Sequence, residues 1–359
     1  MLSVAGALTM TTAVNLAPEA LLAWIAGETQ LDRSAFSVTL VAGDASPRRY
    51  FRVQTHAAGK AASSIIAVLS PPSEKNGAFL FIRELFEANG IIVPGLVSAD
   101  PDAGFFLLED FGDTLLLDAL RQDQASRWYP QALDILVQQR LIDQGEAHLP
   151  PYDEALLVEE MNLFPKWFLK GLLDLPDSEI TRAGLEAVWE RLVRNARAQP
   201  QVVVHRDFHS RNLMCLADGA LGVIDFQDAV IGPITYDLVS LLKDCYVVWP
   251  RDIQLAWLRS AYDGLAEHHF ATGATFTDFV GWFDLMGLQR HIKVLGIFAR
   301  LCLRDDKPQY LDDLPRVLAY VLAALNLYRD TEPALAHFAD WFEAELMPIA
   351  ATQSWFTAE

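Results

Sequence analysis

Three polar residues stand at fixed spacings in the second half of the sequence: Asp207, then Asn212 five positions later, then Asp225. Transfer of a phosphoryl group needs a carboxylate that accepts the proton of the attacking hydroxyl. It also needs oxygen ligands that hold Mg²⁺ on the phosphates. Asp and Asn also stabilise turns, so either residue type alone would carry no functional meaning. The complete pattern of carboxylate, amide and second carboxylate favours phosphoryl-transfer chemistry.

The surrounding sequence predicts a β-hairpin that would position these side chains. Residues 202–204 are three valines, as in a buried strand, and apolar runs follow at 213–216 and 221–226. Asp218-Gly219 lies between the two runs, and Asp-Gly is a strong hairpin signal because the primed turns need a positive φ. The first two polar residues therefore lie on the loop that enters the hairpin, and the third lies at its exit.

The segment His-Arg-Asp-Phe-His-Ser-Arg-Asn at 205–212 resembles the catalytic loop of the protein-kinase-like enzymes. Ile-Asp-Phe-Gln at 224–227 stands where protein kinases carry Asp-Phe-Gly. A histidine, His209, stands two positions after Asp207, and in this the loop resembles that of the aminoglycoside and choline type of small-molecule kinase. Only twelve positions separate Asp225 from Asp237, which is too few for the peptide-docking segment of a protein kinase. The expected substrate is therefore small.

Four segments narrow the resemblance to the bacterial anomeric N-acetylmuramate/N-acetylglucosamine kinases of the aminoglycoside phosphotransferase superfamily. The segments are 107–113, 159–169, 205–214 and 288–301. The whole similarity runs from about residue 42 to residue 303. The resemblance implies an ATP-dependent kinase that phosphorylates the C1 hydroxyl of these amino sugars in cell-wall (peptidoglycan) recycling. It also implies ATP and Mg²⁺ as cofactors.

The resemblance assigns a role to each motif residue. It implies that Asp207 is the general base, that His209 shares the catalytic loop, and that Asn212 and Asp225 bind the metal. Asp237 is expected to hold the loop by hydrogen bonds, a structural function. The implied fold is α+β and protein-kinase-like, with a small antiparallel-sheet lobe and a large helical lobe. The expected divisions are an N-terminal leader and helix at 1–35, a nucleotide-binding lobe with its hinge at 36–112, and a helical lobe with the hairpin and sugar site at 113–359.

Nucleotide binding is predicted in the first lobe. Strands at 36–42 and 50–55 enclose a turn at the position where kinases fold a loop over ATP phosphates, although GxGxxG is absent. The strand at 63–69 lacks the lysine that kinases use to hold the phosphates, so an arginine on the preceding strand is expected to replace it. The predicted nucleotide-binding residues are Gly43, Asp44, Ala45 and Ser46 in the turn, Arg49 or Arg52 as the cation, and Glu109, Asp110 and Phe111 at the hinge.

Sugar-binding candidates come from the segments that resemble the amino-sugar kinases. Arg211 is the first candidate for the lactyl carboxylate of N-acetylmuramate, and Arg290 is the second. For residues 290–293, however, a solvated helix face or a salt bridge at a helix cap is the simpler expectation. The full set of candidates is Arg211, Glu159, Asn162, Trp167, Gln227, Asp228 and Arg290.

Composition restricts the alternatives. The 359 residues are 52% hydrophobic, enough for a large core, and the net charge of −19 argues against nucleic-acid binding. Three cysteines in apolar surroundings indicate reduced thiols and a cytoplasmic location. No apolar run reaches the length of a membrane span, and no obligate protein partner is evident. The acidic charge leaves an aminoglycoside or choline type of kinase open, and the missing strand lysine leaves a nucleotide-binding pseudokinase open.

Overall fold

A computed structural model describes residues 17–41, 47–56, 63–270 and 272–356. The chain divides into two compact units, each built from more than one stretch of sequence. The first unit consists of Met1–Ala88, Ile92–Asp113 and Met214–Gln227. The second consists of Asn89–Ile91, Thr114–Leu213 and Asp228–Glu359.

Within the described residues, the strands form one five-stranded sheet and two small two-stranded sheets. The larger sheet has the order β1-β2-β3-β5-β4, and every neighbouring pair in it is antiparallel. The small sheets pair β6 with β9 and β7 with β8. In chain order the strands are β1 (Phe36–Leu40), β2 (Arg49–Thr55), β3 (Ser64–Leu69), β4 (Leu96–Asp100), β5 (Phe105–Glu109), β6 (Gln201–Val204), β7 (Leu213–Cys215), β8 (Leu221–Val223) and β9 (Val230–Pro233).

The helices lie mostly in the second unit, and two segments there, Phe164–Leu172 and Phe342–Leu346, have π-helical geometry. Short 3₁₀ turns occupy Arg33–Ala35 and Pro308–Asp313. In chain order the α-helices are α1 (Glu19–Thr29), α2 (Asn76–Ala88), α3 (Leu116–Leu120), α4 (Ala125–Leu141), α5 (Gln144–Ala147), α6 (Glu154–Met161), α7 (Asp177–Arg182), α8 (Leu185–Ala198), α9 (Tyr236–Leu242), α10 (Arg251–Glu267), α11 (Phe276–Asp305), α12 (Leu314–Tyr328), α13 (Pro333–Trp341) and α14 (Met347–Ala350).

The core of the first unit forms where α1 covers one face of the sheet. Leu21, Leu22 and Ile25 lie on one side of this helix, as the spacing of its apolar residues predicts, and they pack on Phe51 and Val53 of β2. Alternation along β2 sends these two strand residues inward.

The predicted hairpin is also present. Strands β7 and β8 pair across a turn in which Gly219 has a φ of +92°, a conformation that glycine adopts without strain. The N–H of Val223 donates to the carbonyl of Ile92 (2.8 Å). A side chain at Gly222 would collide with the ring of Phe111. The end of the hairpin is thereby fixed against the chain that leaves β5.

The long helix α11 organises the second unit. It spans thirty residues, about 45 Å at the α-helical rise, and it starts with a capping box between Thr275 and Asp278. It packs against α8, α9, α12 and the π-helical segment Phe164–Leu172. Every residue from 283 to 296 is buried, so this stretch has no solvent-facing side. Charged residues within it must therefore find partners inside the protein.

Among the described residues, no helix combines the length and the apolar character that crossing a bilayer requires.

We predict that His291 makes the stability of the second unit depend on pH. Burial lowers the pKa of this imidazole to about 3, the charges of Lys243 and Arg290 act in the same direction, and its Nε2–H donates to the carbonyl of Lys243 (2.9 Å). Because the unfolded chain takes up a proton near pH 6.5 and the folded chain does not, stability is lost as the pH falls below 6.5. Between pH 7 and pH 5 the loss should be about 2 kcal/mol in the free energy of urea unfolding.

The matched variant is His291→Gln, which keeps a donor for the carbonyl and cannot be protonated. Its unfolding free energy is expected to be lower at pH 7 but to change less between pH 7 and pH 5. An identical pH dependence in the two proteins would contradict this role of His291.

Candidate active site

The candidate catalytic loop begins where β6 ends at Val204. The N–H groups of His205 and Arg206 both donate to the carboxylate of Asp237, at 2.7 and 3.0 Å. Gln139 donates to the same carboxylate (2.6 Å) and to the carbonyl of Val203 (2.9 Å). The expectation that Asp237 holds this loop is confirmed. A carboxylate that accepts several charge-assisted bonds fixes the direction in which the chain leaves the strand.

Arg206 has a left-handed backbone, with a φ of +77°, which costs on the order of 1–3 kcal/mol for a residue that is not glycine. Its side chain forms an ion pair with Glu160. Its carbonyl accepts a hydrogen bond from Arg290 (2.7 Å). Both ends of the residue are therefore fixed, which holds the strained turn directly before Asp207.

Glu160 is the centre of a buried charge cluster below the loop. Its carboxylate contacts the guanidinium of Arg206, the ammonium of Lys293 at 2.9 Å and the hydroxyl of Tyr152. Burial alone would raise the pKa of Glu160, but Lys293 and Arg206 outweigh it and lower the pKa. Its neighbour Glu159, which is the residue that the sequence predicts for sugar binding, is exposed.

A sequence signal for Glu160 did exist. On α6 it shares one face with Leu157 and Met161, which are both buried, at the three- and four-residue spacing of a helix. A carboxylate on the apolar face of an amphipathic helix is expected to have a buried partner.

Asp207 keeps 45% of its side chain exposed while Arg290 lies at 3.4 Å from its carboxylate. Partial burial alone would raise the pKa of Asp207, but the positive charges of Arg290, Lys293, His209 and Arg206 lower it well below its usual value. The carboxylate is therefore ionised at neutral pH and accessible. Such a group can accept the hydrogen bond of a substrate hydroxyl and, as the reaction proceeds, its proton.

The rest of the loop is fixed by its own backbone and by Asp244. The side-chain nitrogen of Asn212 donates to the carbonyl of Asp207 (2.9 Å), so this bond uses the nitrogen end of the amide. Asp244 accepts the N–H of Ser210 (2.9 Å) and the N–H of Tyr246 (3.0 Å). One carboxylate therefore connects the loop to the segment that carries Tyr246.

Two loop residues contact the ring of Tyr246. The guanidinium of Arg211 lies 4.0 Å from the ring centroid, and the imidazole of His209 meets the ring edge-on at 5.5 Å. No carboxylate among the described residues forms a salt bridge with Arg211. The charge of Arg211 acts to lower the pKa of the Asp313 carboxyl group. The salt bridge of Asp313, however, is with Arg316, at 3.1 Å.

Asp225 belongs to the first unit and follows β8. It too has a left-handed backbone, with a φ of +64°, and its carboxylate accepts a hydrogen bond from Gln227 (2.9 Å). The next residue, Phe226, is buried and its ring lies against those of Phe79 and Phe86. The buried ring fixes the turn, and the exposed carboxylate lies beside it.

Among the described residues, the predicted nucleotide-binding side chains belong to the first unit. Residues 43–46 lie outside the described residues. Arg52 forms ion pairs with Asp110 and Asp113, both at 2.6 Å, and donates to the carbonyl of Gly112 (3.0 Å). The guanidinium of Arg49 lies over the ring of Phe51, 5.0 Å from its centroid. The charge of Arg52 is thus neutralised inside the first unit.

The hinge candidates end β5. Glu109 accepts the N–H of Gly95 (3.2 Å), Asp110 accepts the N–H of Gly112 (2.9 Å) in addition to its pair with Arg52, and Phe111 packs on Gly222 of β8.

The expectation of a solvated helix face or a salt bridge at a helix cap is wrong for residues 290–293, which lie in the middle of α11. Arg290, His291 and Lys293 are 4%, 1% and 5% exposed, because α11 is surrounded by other helices. Arg290 contacts Asp207, the carbonyl of Arg206 and the hydroxyl of Tyr236. These contacts place its charge under the loop.

The other sugar candidates lie at the surface or bond to neighbours. Asn162 accepts a hydrogen bond from the indole of Trp189 (3.0 Å). Trp167 is half-buried, with the ammonium of Lys166 at 5.5 Å from its ring. Asp228 is exposed, and its carbonyl accepts from Arg206 (3.4 Å).

The donor set for a metal consists of oxygen atoms. Within the described part of the chain, no three His, Cys, Asp or Glu side chains converge on a point that would hold a metal ion. Taken separately, the amide oxygen of Asn212 in the second unit and the carboxylate of Asp225 in the first are the kinds of ligand that Mg²⁺ takes. This ion uses one or two protein ligands and completes its coordination with phosphates and water. The chemistry of these two residues therefore fits a metal that arrives with a nucleotide.

Comparisons with known proteins agree with this chemistry. The model of the phosphotransferase enzyme family matches residues 37–273. The N-acetylmuramate/N-acetylglucosamine kinase of Pseudomonas putida is 42% identical over 288 residues, which cover 80% of this chain and 83% of that protein. The kinase of the same name from Pseudomonas aeruginosa is 40% identical over 287 residues, 79% of this chain and 82% of that protein.

Among solved structures, an ethanolamine kinase from Plasmodium vivax is similar with a TM-score of 0.61 at 13% identity, over 85% of this chain and 87% of that chain. At this identity the likeness concerns the fold alone, and it confirms the expected α+β, protein-kinase-like fold. The chain belongs to the phosphotransferase enzyme family. The resemblance to the amino-sugar kinases seen in the motifs is confirmed by the two Pseudomonas relatives.

We predict that Arg290 is a positioning residue for the loop. Arg290→Gln removes the charge beside Asp207 and the double contact to Arg206 and Tyr236. Because charge-assisted hydrogen bonds contribute about 1.5–3 kcal/mol, kcat of phosphotransfer should fall roughly ten- to a hundredfold. The KM values for nucleotide and acceptor should change little. Steady-state kinetics with both substrates varied would measure this split.

Arg290→Lys restores a charge and should recover part of the loss, whereas Arg304→Gln, an exposed change on the same helix, should have no effect. Folded Arg290→Gln protein with the kcat of the original chain would exclude the positioning role.

Proposed function

We propose that this chain is an ATP-dependent kinase that phosphorylates the anomeric C1 hydroxyl of N-acetylmuramate and N-acetylglucosamine, in the recycling of cell-wall sugars. The observation that carries the proposal is the carboxylate of Asp207. It is kept ionised by Arg290 and remains accessible on a loop that Asp237 and Asp244 hold in place. The choice of sugar is supported by relatives of 42% and 40% identity that carry this name.

In this proposal Asp207 is the general base. The C1 hydroxyl donates a hydrogen bond to its carboxylate and transfers its proton as the bond to phosphorus forms. Asn212 and Asp225 hold Mg²⁺, which neutralises charge on the nucleotide phosphates when it is bound. His209 remains a candidate member of the catalytic loop, and its contact with Tyr246 supports an orienting role.

For the sugar, Arg211 is our candidate partner of the lactyl carboxylate. The guanidinium lies over the ring of Tyr246, which holds the side chain in place. Its planar set of N–H donors matches a carboxylate. The segment that contains Tyr246 is tied to the loop through Asp244. The polar residues Glu159, Gln227 and Asp228 remain candidates for the ring hydroxyls and the acetamido group.

We predict that Asp207→Asn abolishes most of the turnover without weakening nucleotide binding. The amide keeps the shape of the side chain but cannot accept the proton, and general-base catalysis contributes about 10²–10⁴-fold. Phosphorus NMR of the reaction with N-acetylglucosamine and ATP should show an acid-labile glycosyl phosphate that forms correspondingly more slowly with the variant. Calorimetric titration with ADP and Mg²⁺ should give similar affinities for both proteins.

Asp134→Asn, an exposed change in the same unit, is the matched control and should react like the original chain. A base-stable 6-phosphate as the product would refute the C1 assignment. Near-normal kcat in Asp207→Asn would refute the role of Asp207 itself.

We also predict that Arg211→Ala changes the choice between the two sugars. The kcat/KM for N-acetylmuramate should fall about ten- to a hundredfold because a charge-assisted contact to its carboxylate is lost. The value for N-acetylglucosamine, which has no carboxylate, should change far less. Tyr246→Phe keeps the stacked ring and should retain the original preference. Equal losses for both sugars would mean that Arg211 serves the loop and does not read the lactyl group.

A further inference from the structure

A cation occupies the end of β3 even though this strand has no lysine. Arg48, which directly precedes β2, donates from Nε to the hydroxyl of Ser70, the residue after β3, at 3.1 Å. Ser70 in turn donates to Asn76, the first residue of α2 (2.6 Å). The guanidinium of Arg48 also pairs with Glu74 at 3.4 Å. Its charge is therefore fixed where β3 ends and α2 begins.

Aromatic contacts place the same guanidinium near the turn that carries Asp225. Arg48 lies over the ring of Phe79, 5.3 Å from its centroid. The ring of Phe79 stacks on that of Phe226 at 5.2 Å with an interplanar angle of 24°. Phe226 directly follows Asp225 in the chain. One ring stack thus connects the arginine to the turn of the candidate metal ligand, and all these residues lie in the first unit.

Tyr50 lies two residues after Arg48 at the start of β2, and positions two apart along an extended chain point to the same side. Its hydroxyl interacts with the side chain of Arg48.

Arg48 is a buried charge. Only 2% of this residue is exposed, and burying a guanidinium costs free energy that its partners must offset. A guanidinium presents five donors in a planar fork that matches a phosphate. A buried charge of this shape beside a candidate Mg²⁺ ligand suits a polyanionic group.

The two arginines within β2 are less suited to binding phosphates. Arg52 is neutralised by Asp110 and Asp113, and Arg49 lies over Phe51. We infer that Arg48, assisted by the hydroxyl of Tyr50, binds the phosphates of the nucleotide and replaces the lysine that β3 lacks. The inference rests on the proposed ATP-dependent function. It moves the predicted phosphate contact from Arg49 or Arg52 to the residue just before them.

The test compares binding of ADP with binding of adenosine, each titrated calorimetrically into the full chain in the presence of Mg²⁺. Arg48→Met should weaken ADP about ten- to a hundredfold, as expected for loss of a charge-assisted contact, and leave adenosine unchanged. The double variant Arg48→Met with Glu74→Met removes both charges, and such apolar replacement of a buried pair usually preserves the fold. It should show the same selective loss.

Arg33→Met is the matched control, because Arg33 also lies over an aromatic ring of the first unit, that of Phe36, at 5.0 Å. It should bind both ligands like the original chain. If the Arg48 variants keep the full preference for ADP, the inference is wrong but the proposed function stands. The same conclusion follows if Arg49→Met selectively weakens ADP binding and the Arg48 variants do not. An original chain that binds ADP no better than adenosine overturns both the inference and the proposed function.

Discussion

The carboxylate of Asp237 is the constraint on which the candidate catalytic loop depends. A chain that leaves a buried strand carries N–H groups that have lost both water and a neighbouring strand, and each unsatisfied group costs about 1–3 kcal/mol. Asp237 accepts two of them in succession, from His205 and Arg206, and is itself held by Gln139. The turn before Asp207 is therefore built by hydrogen bonds to one acceptor. Packing of apolar side chains would leave these groups unsatisfied.

The charges under the loop are not balanced one to one. Glu160 and Asp207 face three cations, Arg206, Arg290 and Lys293. The excess of positive charge keeps Asp207 ionised and would accommodate further negative charge as a phosphoryl group approaches its acceptor. A protein with a strongly acidic overall composition can do this because local pairing, and not net charge, sets the field at a site.

Local patterns predicted much of this structure and missed the parts that depend on burial. The hairpin of β7 and β8 followed from one Asp-Gly turn, and the role of Asp237 followed from the resemblance to the protein-kinase-like enzymes. Arg290 was expected on a solvated face, because a helix window shows periodicity but not that helices surround it on every side. Glu160 and Arg48 were passed over for neighbours, since choosing between adjacent charged residues requires knowing which one points inward. Residues 43–46, outside the described residues, stay predictions.

The left-handed backbone of Arg206 has an evolutionary consequence. Glycine would adopt this conformation without strain, yet it would leave the buried carboxylate of Glu160 with Lys293 as its remaining cation. Arginine supplies the second cation, although its backbone is strained in this conformation. Neither position can therefore change freely while the other stays as it is. In chains that descend from a common ancestor, positions 160 and 206 should therefore be substituted together. A substitution at one of them would identify lineages in which a different set of charges stabilises the loop.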